Sequence, residues 1–432
     1  MSRSLPIGLR LYRLGASVLG LAAPLFLAVR RARGKEDGAR IGERHGIPGL
    51  DRPGGPLFWL HGASVGETLT VLPLAERLVA RGCTVLVTSG TVTSAAVLAR
   101  RLPPGCLHQF VPLDVPAFVR RFLRAWRPDV AIFVESELWP VMITEAHRHR
   151  VPLVLVNGRM SSRSFARWRR LPRTIAALLG RFDLCLAQSA ADAERFAALA
   201  APRVSAPGNL KFDAAPLPFD GAALARLQAT LRGRPVWVAA STHEGEEAIA
   251  AAVHARVRSG VPDLLTIIVP RHPERGDAIA DVAAGQGFNV LQRSRGFEPD
   301  RGVEIYVADT VGELGLFYRL ARIVFVGGSL VRHGGQNPAE AARLGAAVLH
   351  GPHTGNFVDA YAALDRHGGA AAVADGDALA AEVERLLVDP AAVGAMAAAG
   401  ERAVAGLAGA LDRVVGALDP YLVHLALSGS RR

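Results

Sequence analysis

Residues 56–67 read PLFWLHGASVGE, and no other segment constrains the fold as tightly. Residues 57–60 are an uninterrupted apolar run, the composition of a strand buried on both faces of a parallel sheet. The run breaks into Gly62, Ala63, Ser64 and Gly66, small residues that let the backbone turn tightly and approach a ligand closely. In open α/β sheets, ligands sit beyond the carboxyl ends of the strands. Glu67 therefore stands where a substrate would lie. It also stands where a helix would open, and a carboxylate there suits the helix dipole. The segment alone leaves both readings open.

The same rhythm continues along the chain. Apolar runs at 57–60, 84–88, 130–134, 151–156 and 184–187 alternate with amphipathic stretches such as 68–81 and 117–126. This is the βαβ pattern of a doubly wound sheet. Residues 214–220, AAPLPFD, have the proline content of a linker. A second series follows at 236–240, 264–269, 288–291, 304–307, 323–326 and 347–349. The expectation is two Rossmann-like α/β domains, 50–213 and 229–400, facing a central cleft, with a linker at 214–228 and a helical tail at 401–432.

Charge is concentrated. The chain carries +11. Residues 1–35 hold Arg3, Arg10, Arg13, Arg30, Arg31, Arg33 and Lys35 without an acid. Residues 159–181 hold seven arginines, also without an acid. Two local basic surfaces argue against a general nucleic-acid binder. Residues 14–29 are uncharged and mostly apolar. As one helix they would span roughly 24 Å at 1.5 Å each, slightly short of a usual membrane span. They are read as an uncleaved anchor that either crosses the bilayer or lies in one leaflet. The βαβ series begins only at residue 56, so folding should not need residues 1–35. In 159–181, Phe165, Trp168 and Leu171 interleave with arginines. On one helix that is a basic, aromatic face for an anionic membrane surface.

Lysine is nearly absent, with Lys35 and Lys211 against forty-eight arginines. The chain writes arginine wherever either cation serves, so Lys211 is informative. Its ammonium is a compact charge that a planar guanidinium does not mimic. Cys83, Cys106 and Cys185 have no metal or redox spacing and fit a reducing compartment. His61, His243, His272, His333 and His353 lie in loops without metal-ligand spacing and are read as hydrogen-bonding or packing residues. Gly62, Ser64 and Gly66 form GxSxG, but no triad partners stand out, which disfavours a hydrolase.

The segment 325–357, FVGGSLVRHGGQNPAEAARLGAAVLHGPHTGNF, ends a strand in Gly327 and Gly328 and opens a helix at Asn337–Pro338. Free amides at such a helix start can hold phosphate. The GGxNPxE arrangement is similar to the nucleotide-sugar corner of GT-B glycosyltransferases. Together with WLHGASVGE, TSGTVTSA, FVESELWP, NGRMSSRSF, GNLKFD, ASTHEGEE, VPRHPER and GELGLFY, it gives nearly the whole chain a resemblance to 3-deoxy-manno-octulosonic acid (Kdo) transferases. These are membrane-associated enzymes that attach Kdo to the lipid A precursor in lipopolysaccharide biosynthesis.

The resemblance implies a GT-B fold, a CMP-Kdo donor, inversion at the anomeric carbon, no required metal or other cofactor, and the cytoplasmic face of an inner membrane. It makes Glu67 the general base, and Glu137 and Lys211 stabilisers of the transition state. Pro270, Arg271, Gly312, Glu313, Leu314, Asn337, Pro338, Ala339 and Glu340 match the donor site. Arg271 would hold the phosphate, 312–314 would make backbone contacts, and Glu340 would take the ribose hydroxyls. Glu135 and Glu137 lie two residues apart, so strict strand alternation would put both on one face. A UDP-sugar transferase or nucleotide-sugar epimerase would share the fold. A non-catalytic sugar-nucleotide binder is a further alternative. The anchor and the joint presence of Glu67, Glu137 and Lys211 disfavour these.

Overall fold

The structure is a computed structural model that describes residues 5–429. Arg3 and the last three residues of the tail lie outside the described residues. Two compact units divide the chain. One comprises residues up to 214 together with those from 408 onward; the other comprises 215–407.

The first unit is built on seven parallel strands: β1 (Leu57–His61), β2 (Thr84–Ser89), β3 (Cys106–Phe110), β4 (Val130–Val134), β5 (Leu153–Gly158), β6 (Leu184–Ala187) and β7 (Val204–Ser205). Their order is β3-β2-β1-β4-β5-β6-β7. The continuous apolar runs are explained by burial: every residue of β1, β4 and β5 is inaccessible. Helices cover both faces, as βαβ crossovers require. Trp59, Phe122, Trp126 and Phe133 fill one layer, and Phe58, Leu60, Val85 and Val87 the other. Strand order reverses between β1 and β4, and the loops after these two strands open the crevice where doubly wound sheets bind ligands.

The second unit repeats the plan with β8 (Val236–Thr242), β9 (Leu265–Pro270), β10 (Val290–Gln292), β11 (Ile305–Val307), β12 (Ile323–Val326), β13 (Ala347–His350) and β14 (Ala370–Ala372). The order is β10-β11-β9-β8-β12-β13-β14, and the switch point lies between β8 and β12. The stretch expected as a linker carries a helix, Gly221–Thr230, whose Ala223 and Leu227 are buried. The helix Ala410–Gly429 places Val414, Val415 and Leu418 in the core of the first unit. Asp213 fixes its start by accepting from the amides of Gly409 and Leu411, each at 2.6 Å.

The N-terminal segment is not one helix. Helix α1 (Ile7–Leu21) and helix α2 (Ala23–Ala32) meet at a 63° bend. Pro24, which has no N–H to give the preceding turn, opens α2. Among the described residues no single helix is long and apolar enough to cross a membrane; the bent pair passes on length and composition. Leu9 and Leu27 are buried in the first unit. Tyr12 donates to Asp114 at 3.0 Å and Arg13 pairs with Glu145 at 2.5 Å. Gly8 permits the approach, since a Cβ there would sit 2.5 Å from the Thr174 hydroxyl. Helices α1 and α2 therefore pack on the first unit and are not a detached anchor, although the expectation was that folding does not need residues 1–35. The arginine-rich stretch is likewise two helices, Ser162–Trp168 and Pro172–Leu179. Phe165 and Trp168 pack against the core, so the aromatic part of the expected exposed face is turned inward.

Candidate active site

In the first unit the loop after β1 folds into a capping box. Ser64 caps the helix Val65–Val79, and the Glu67 carboxylate reaches back. Oε2 of Glu67 accepts from the amides of Ala63 at 2.6 Å and Ser64 at 3.0 Å. Both readings of Glu67 are thus realised in one place: it opens the helix and it stands at the switch point. Ser64 is occupied as the cap, which removes it as a nucleophile.

The loop after β4 separates the two glutamates that alternation would have put together. Glu135 has φ 54°, a left-handed conformation uncommon for a residue with a Cβ. Its carboxylate receives the Lys211 ammonium at 2.6 Å. Lys211 is delivered by the one-turn helix Leu210–Asp213, which Asn209 caps. Glu137 instead faces the other way. The indole N–H of Trp139 donates to it, and Nε2 of His61 lies 3.4 Å from its Oε2. His61 is fully buried at the end of β1, with Nδ1 3.0 Å from the Thr88 hydroxyl. That hydroxyl accepts the Trp59 indole N–H at 2.9 Å. If the Thr88 proton goes to Nδ1, the Nε2 of His61 is left to donate toward Glu137.

These surroundings push the carboxyls apart. Burial, then the charge of Glu137 and more weakly that of Glu135, raise the Glu67 pKa against the pull of the two amides. Burial also works to raise Glu137, but the His61 imidazole 3.4 Å away and the hydrogen bond from the Trp139 indole outweigh it and hold the group below its ordinary value. A proton acceptor beside a carboxylate kept ionised is the pattern of acid–base pairs in enzymes.

In the second unit, Pro270 ends β9 beside Thr242, and Arg271 follows with its amide on the Thr242 carbonyl and its side chain exposed. Gly312 has φ 90°. The Glu313 carboxylate is occupied internally, gripped by Arg293 at 2.7 and 3.1 Å and by Thr310. The Glu313 side chain is therefore committed within the protein, while Val311 of the same loop is exposed. Asn337 caps the helix Pro338–Arg343. Its Oδ1 accepts the Ala339 amide at 3.2 Å and its Nδ2 donates to Glu340 at 3.1 Å. Pro338 has no N–H and the Ala339 amide is held by Asn337, so neither of these two positions offers a free amide for phosphate.

Several residues at these sites were not assigned a role from sequence. Glu246, buried after β8, accepts four backbone amides: Gly328 at 2.6 Å, His243 at 2.9 Å, Leu330 at 3.0 Å and Ser329 at 3.1 Å. It shapes the glycine loop after β12. His243 stacks on His333 with ring centroids 3.7 Å apart, and Gln336 lies 2.9 Å from its Nε2. Burial, then the neighbouring His333, His272 and Arg271, push His243 down to about 4. Glu135 was weighed only as a neighbour of Glu137; its pairing with Lys211 depends on a backbone conformation that sequence spacing does not reveal. The doubled acid of ASTHEGEE was the available signal for Glu246.

Residues 39–214 match the family model for 3-Deoxy-D-manno-octulosonic-acid transferase (kdotransferase). A probable mitochondrial 3-deoxy-D-manno-octulosonic acid transferase of Arabidopsis thaliana is 38% identical over 365 residues, 81% of this chain and 82% of that one. The 3-deoxy-D-manno-octulosonic acid transferase of Haemophilus influenzae is 32% identical over 94% of this chain and 97% of its own. That of Bordetella pertussis is 36% identical over 84% and 87%. Among solved structures, a glycosyltransferase from Rickettsia africae aligns with a TM-score of 0.60 at 12% identity, covering 86% of this chain and 99% of its own. The UDP-GlcNAc 2-epimerase of Neisseria meningitidis bound to UDP-GlcNAc aligns at 0.57 and 13%, covering 84% and 99%. The last two bear on fold alone, and they share the GT-B plan of two Rossmann-like units. Sequence identity of this extent over most of the chain settles the family: the chain belongs to the 3-deoxy-D-manno-octulosonic acid transferases, glycosyltransferases of GT-B fold.

Proposed function

We propose that the chain moves Kdo from CMP-Kdo to a hydroxyl of a lipid A precursor, with inversion, at the cytoplasmic face of an inner membrane. The acceptor oxygen attacks the anomeric carbon of Kdo as the bond from that carbon to the CMP phosphate breaks. The hydroxyl proton passes to Glu67, and CMP leaves with the bonding electrons. Glu137, held ionised by His61 and Trp139, opposes the positive charge that develops on the sugar ring. Lys211, aligned by Glu135, opposes the negative charge that grows on the leaving phosphate. Arg271 is the cation for that phosphate in the bound donor, and Asn337 and Glu340 take the ribose. No step is assigned to a metal.

The observation that carries this reading is the divergence of two neighbouring carboxyls at the switch point of the first sheet, Glu67 raised and Glu137 lowered. The exposed apolar residues of α1 and α2, including Leu21 at 85% and Leu25 at 71% exposure, support attachment to a membrane. Incubation with CMP-Kdo or UDP-GlcNAc and a lipid A precursor, read by mass spectrometry, tests it. Product gaining Kdo from CMP-Kdo alone is expected. Transfer from the UDP-sugar, or epimerisation of it, would overturn the reading.

A further inference from the structure

Helix α1 presents three different stripes. Ile7, Leu11, Leu14 and Val18, at i, i+4, i+7 and i+11, are 59–74% exposed and apolar. Gly8, Leu9 and Tyr12 line a largely apolar groove of about 450 Å³ whose far wall is Glu137 to Pro140, with Trp168, Leu171 and Thr174. Arg10, Arg13 and Ser17 line a separate bowl of about 1330 Å³.

The bowl is strongly basic. Arg10, Arg13, His147, Arg148, Arg150 and Arg181 line it, and Asp183 is the one acid on its wall. Arg13 and Arg148 share buried Glu145, at 2.5 and 3.4 Å. Arg10, Arg150 and Arg181 make no ion pair among the described residues. Burial, then the like charge of Arg148, lower the Arg181 pKa. Holding cations together against their mutual repulsion is a cost without an anion and an attraction with one. Guanidinium groups converging in a concavity suit the oxygens of a phosphate.

The helix Pro140–Arg148 links the two hollows. Its first residue lines the groove beside Glu137, while Thr144, His147 and Arg148 line the bowl. Eight rises of 1.5 Å along its nine residues separate its ends by roughly 12 Å. The apolar stripe of α1 runs past the same bowl.

We infer that this bowl is a binding subsite for a phosphate group of the acceptor, a phosphorylated glycolipid. Its reacting hydroxyl lies at Glu67, beside Glu137, and its phosphate in the bowl at the far end of the helix Pro140–Arg148. The inference rests on the lipid-acceptor reading above and adds the group that is recognised and the residues that recognise it. The apolar stripe favours a lipid over a nucleic acid or free phosphate as the source of the anion.

The test uses the full chain in detergent with the double variant Arg10→Gln/Arg150→Asn. Both residues are exposed and outside the catalytic set, and Asn tolerates the positive φ of 59° at position 150. Equilibrium binding without donor is measured for a bisphosphorylated glycolipid, the same lipid with its phosphates removed, inorganic phosphate and a short RNA. Transfer kinetics follow with both lipids. The expected result is a tenfold or greater loss of affinity, and a matching rise in KM, for the phosphorylated lipid only. The dephosphorylated lipid should change less than twofold, the donor KM should not move, and Arg10→Lys/Arg150→Lys should restore most of the affinity. Equal losses on both lipids, no loss on either, or tighter binding of RNA than of the phosphorylated lipid by the parent would each overturn the inference. A parent chain that binds the phosphorylated lipid in this selective way yet transfers no Kdo would fail the proposed function and leave the subsite standing.

Discussion

Replacing Glu67 by Gln separates its two roles. Gln keeps the shape of the side chain and still accepts from the Ala63 and Ser64 amides that Oε2 holds at 2.6 and 3.0 Å. If Glu67 were only the far half of a capping box, the swap would weaken charge-assisted bonds to neutral ones, a loss of about 1 kcal/mol. Activity would then stay within a few-fold of the parent. If Glu67 takes the acceptor's proton, the swap removes a general base, worth roughly 10²–10⁴ in kcat, or about 2.7–5.4 kcal/mol at 1.36 kcal/mol per decade.

Stability should move in the opposite sense. Burial and the Glu137 charge raise the Glu67 pKa in the folded state. Between its unfolded and folded values the folded chain binds more protons, so stability falls as pH rises through that window. Ionised Glu67 therefore costs stability at neutral pH, and Gln relieves that cost. The expected outcome is a large fall in kcat with a melting temperature at pH 7 no lower than the parent's. The difference in melting temperature should close near pH 4, about where an ordinary carboxyl is half protonated. Scanning calorimetry across pH beside steady-state kinetics reads both. A variant that melts several degrees lower at pH 7 and turns over normally would refute the base assignment and leave the cap alone.

Lys211→Arg keeps the charge beside Glu135 but offers a broad planar group where a compact one donates at 2.6 Å. A fall in kcat of roughly tenfold, about 1.4 kcal/mol, with little change in melting temperature, is expected from kinetics and calorimetry, and parent-like turnover would show that charge alone suffices. Arg271→Ala should raise the donor KM by roughly tenfold or more, since a phosphate loses a charge-assisted bond of about 1.5–3 kcal/mol; unchanged CMP affinity by titration calorimetry would count against it. Removing residues 1–35 takes Leu9 and Leu27 out of a core and deprives Asp114 of the Tyr12 hydroxyl and Glu145 of the Arg13 guanidinium. The truncated chain should melt well below the parent, by an amount set by losses of about 2–5 kcal/mol for each large buried side chain. Equal melting temperatures would mean that α1 and α2 are merely laid on the surface.

What could be read from sequence follows from how each feature is encoded. The sheets were legible because strands buried on both faces must be continuously apolar, as in LFWL and VAIFV. Strand β3, CLHQF, was not, because His108 and Gln109 interrupt the run; Gln109 is buried by accepting the Trp126 indole at 2.7 Å. The break in the N-terminal segment was written in Pro24 but masked by unbroken hydropathy. An amphipathic tail does not declare which core it joins, so the placement of Val414, Val415 and Leu418 had to come from three dimensions. Glu67, Glu137 and Lys211 were found as separate motifs. Their grouping into one charged cluster with Glu135 is a property of the switch point between β1 and β4, which no local spacing contains.

The left-handed backbone at Glu135 has a consequence for which carboxyl becomes the base. Three glutamates and one lysine meet at the ends of β1 and β4. Had the strand continued in regular alternation, Glu135 and Glu137 would have pointed together, and the ammonium would have lain between them. A cation so placed would also have drawn down Glu67 through its neighbours and left a weak base. The turn at Glu135 brings the ammonium to that residue, while His61 and Trp139 engage Glu137. Glu67 keeps only backbone amides, and burial with its neighbours' charge prevails. A residue held at φ 54° with a Cβ costs of order 1–3 kcal/mol. Glycine there would avoid that cost but would lose the carboxylate that positions Lys211. The strain is thus tied to the division of labour among the carboxyls: one is paired to place a cation, one is kept ionised by buried donors, and one is left free to accept a proton.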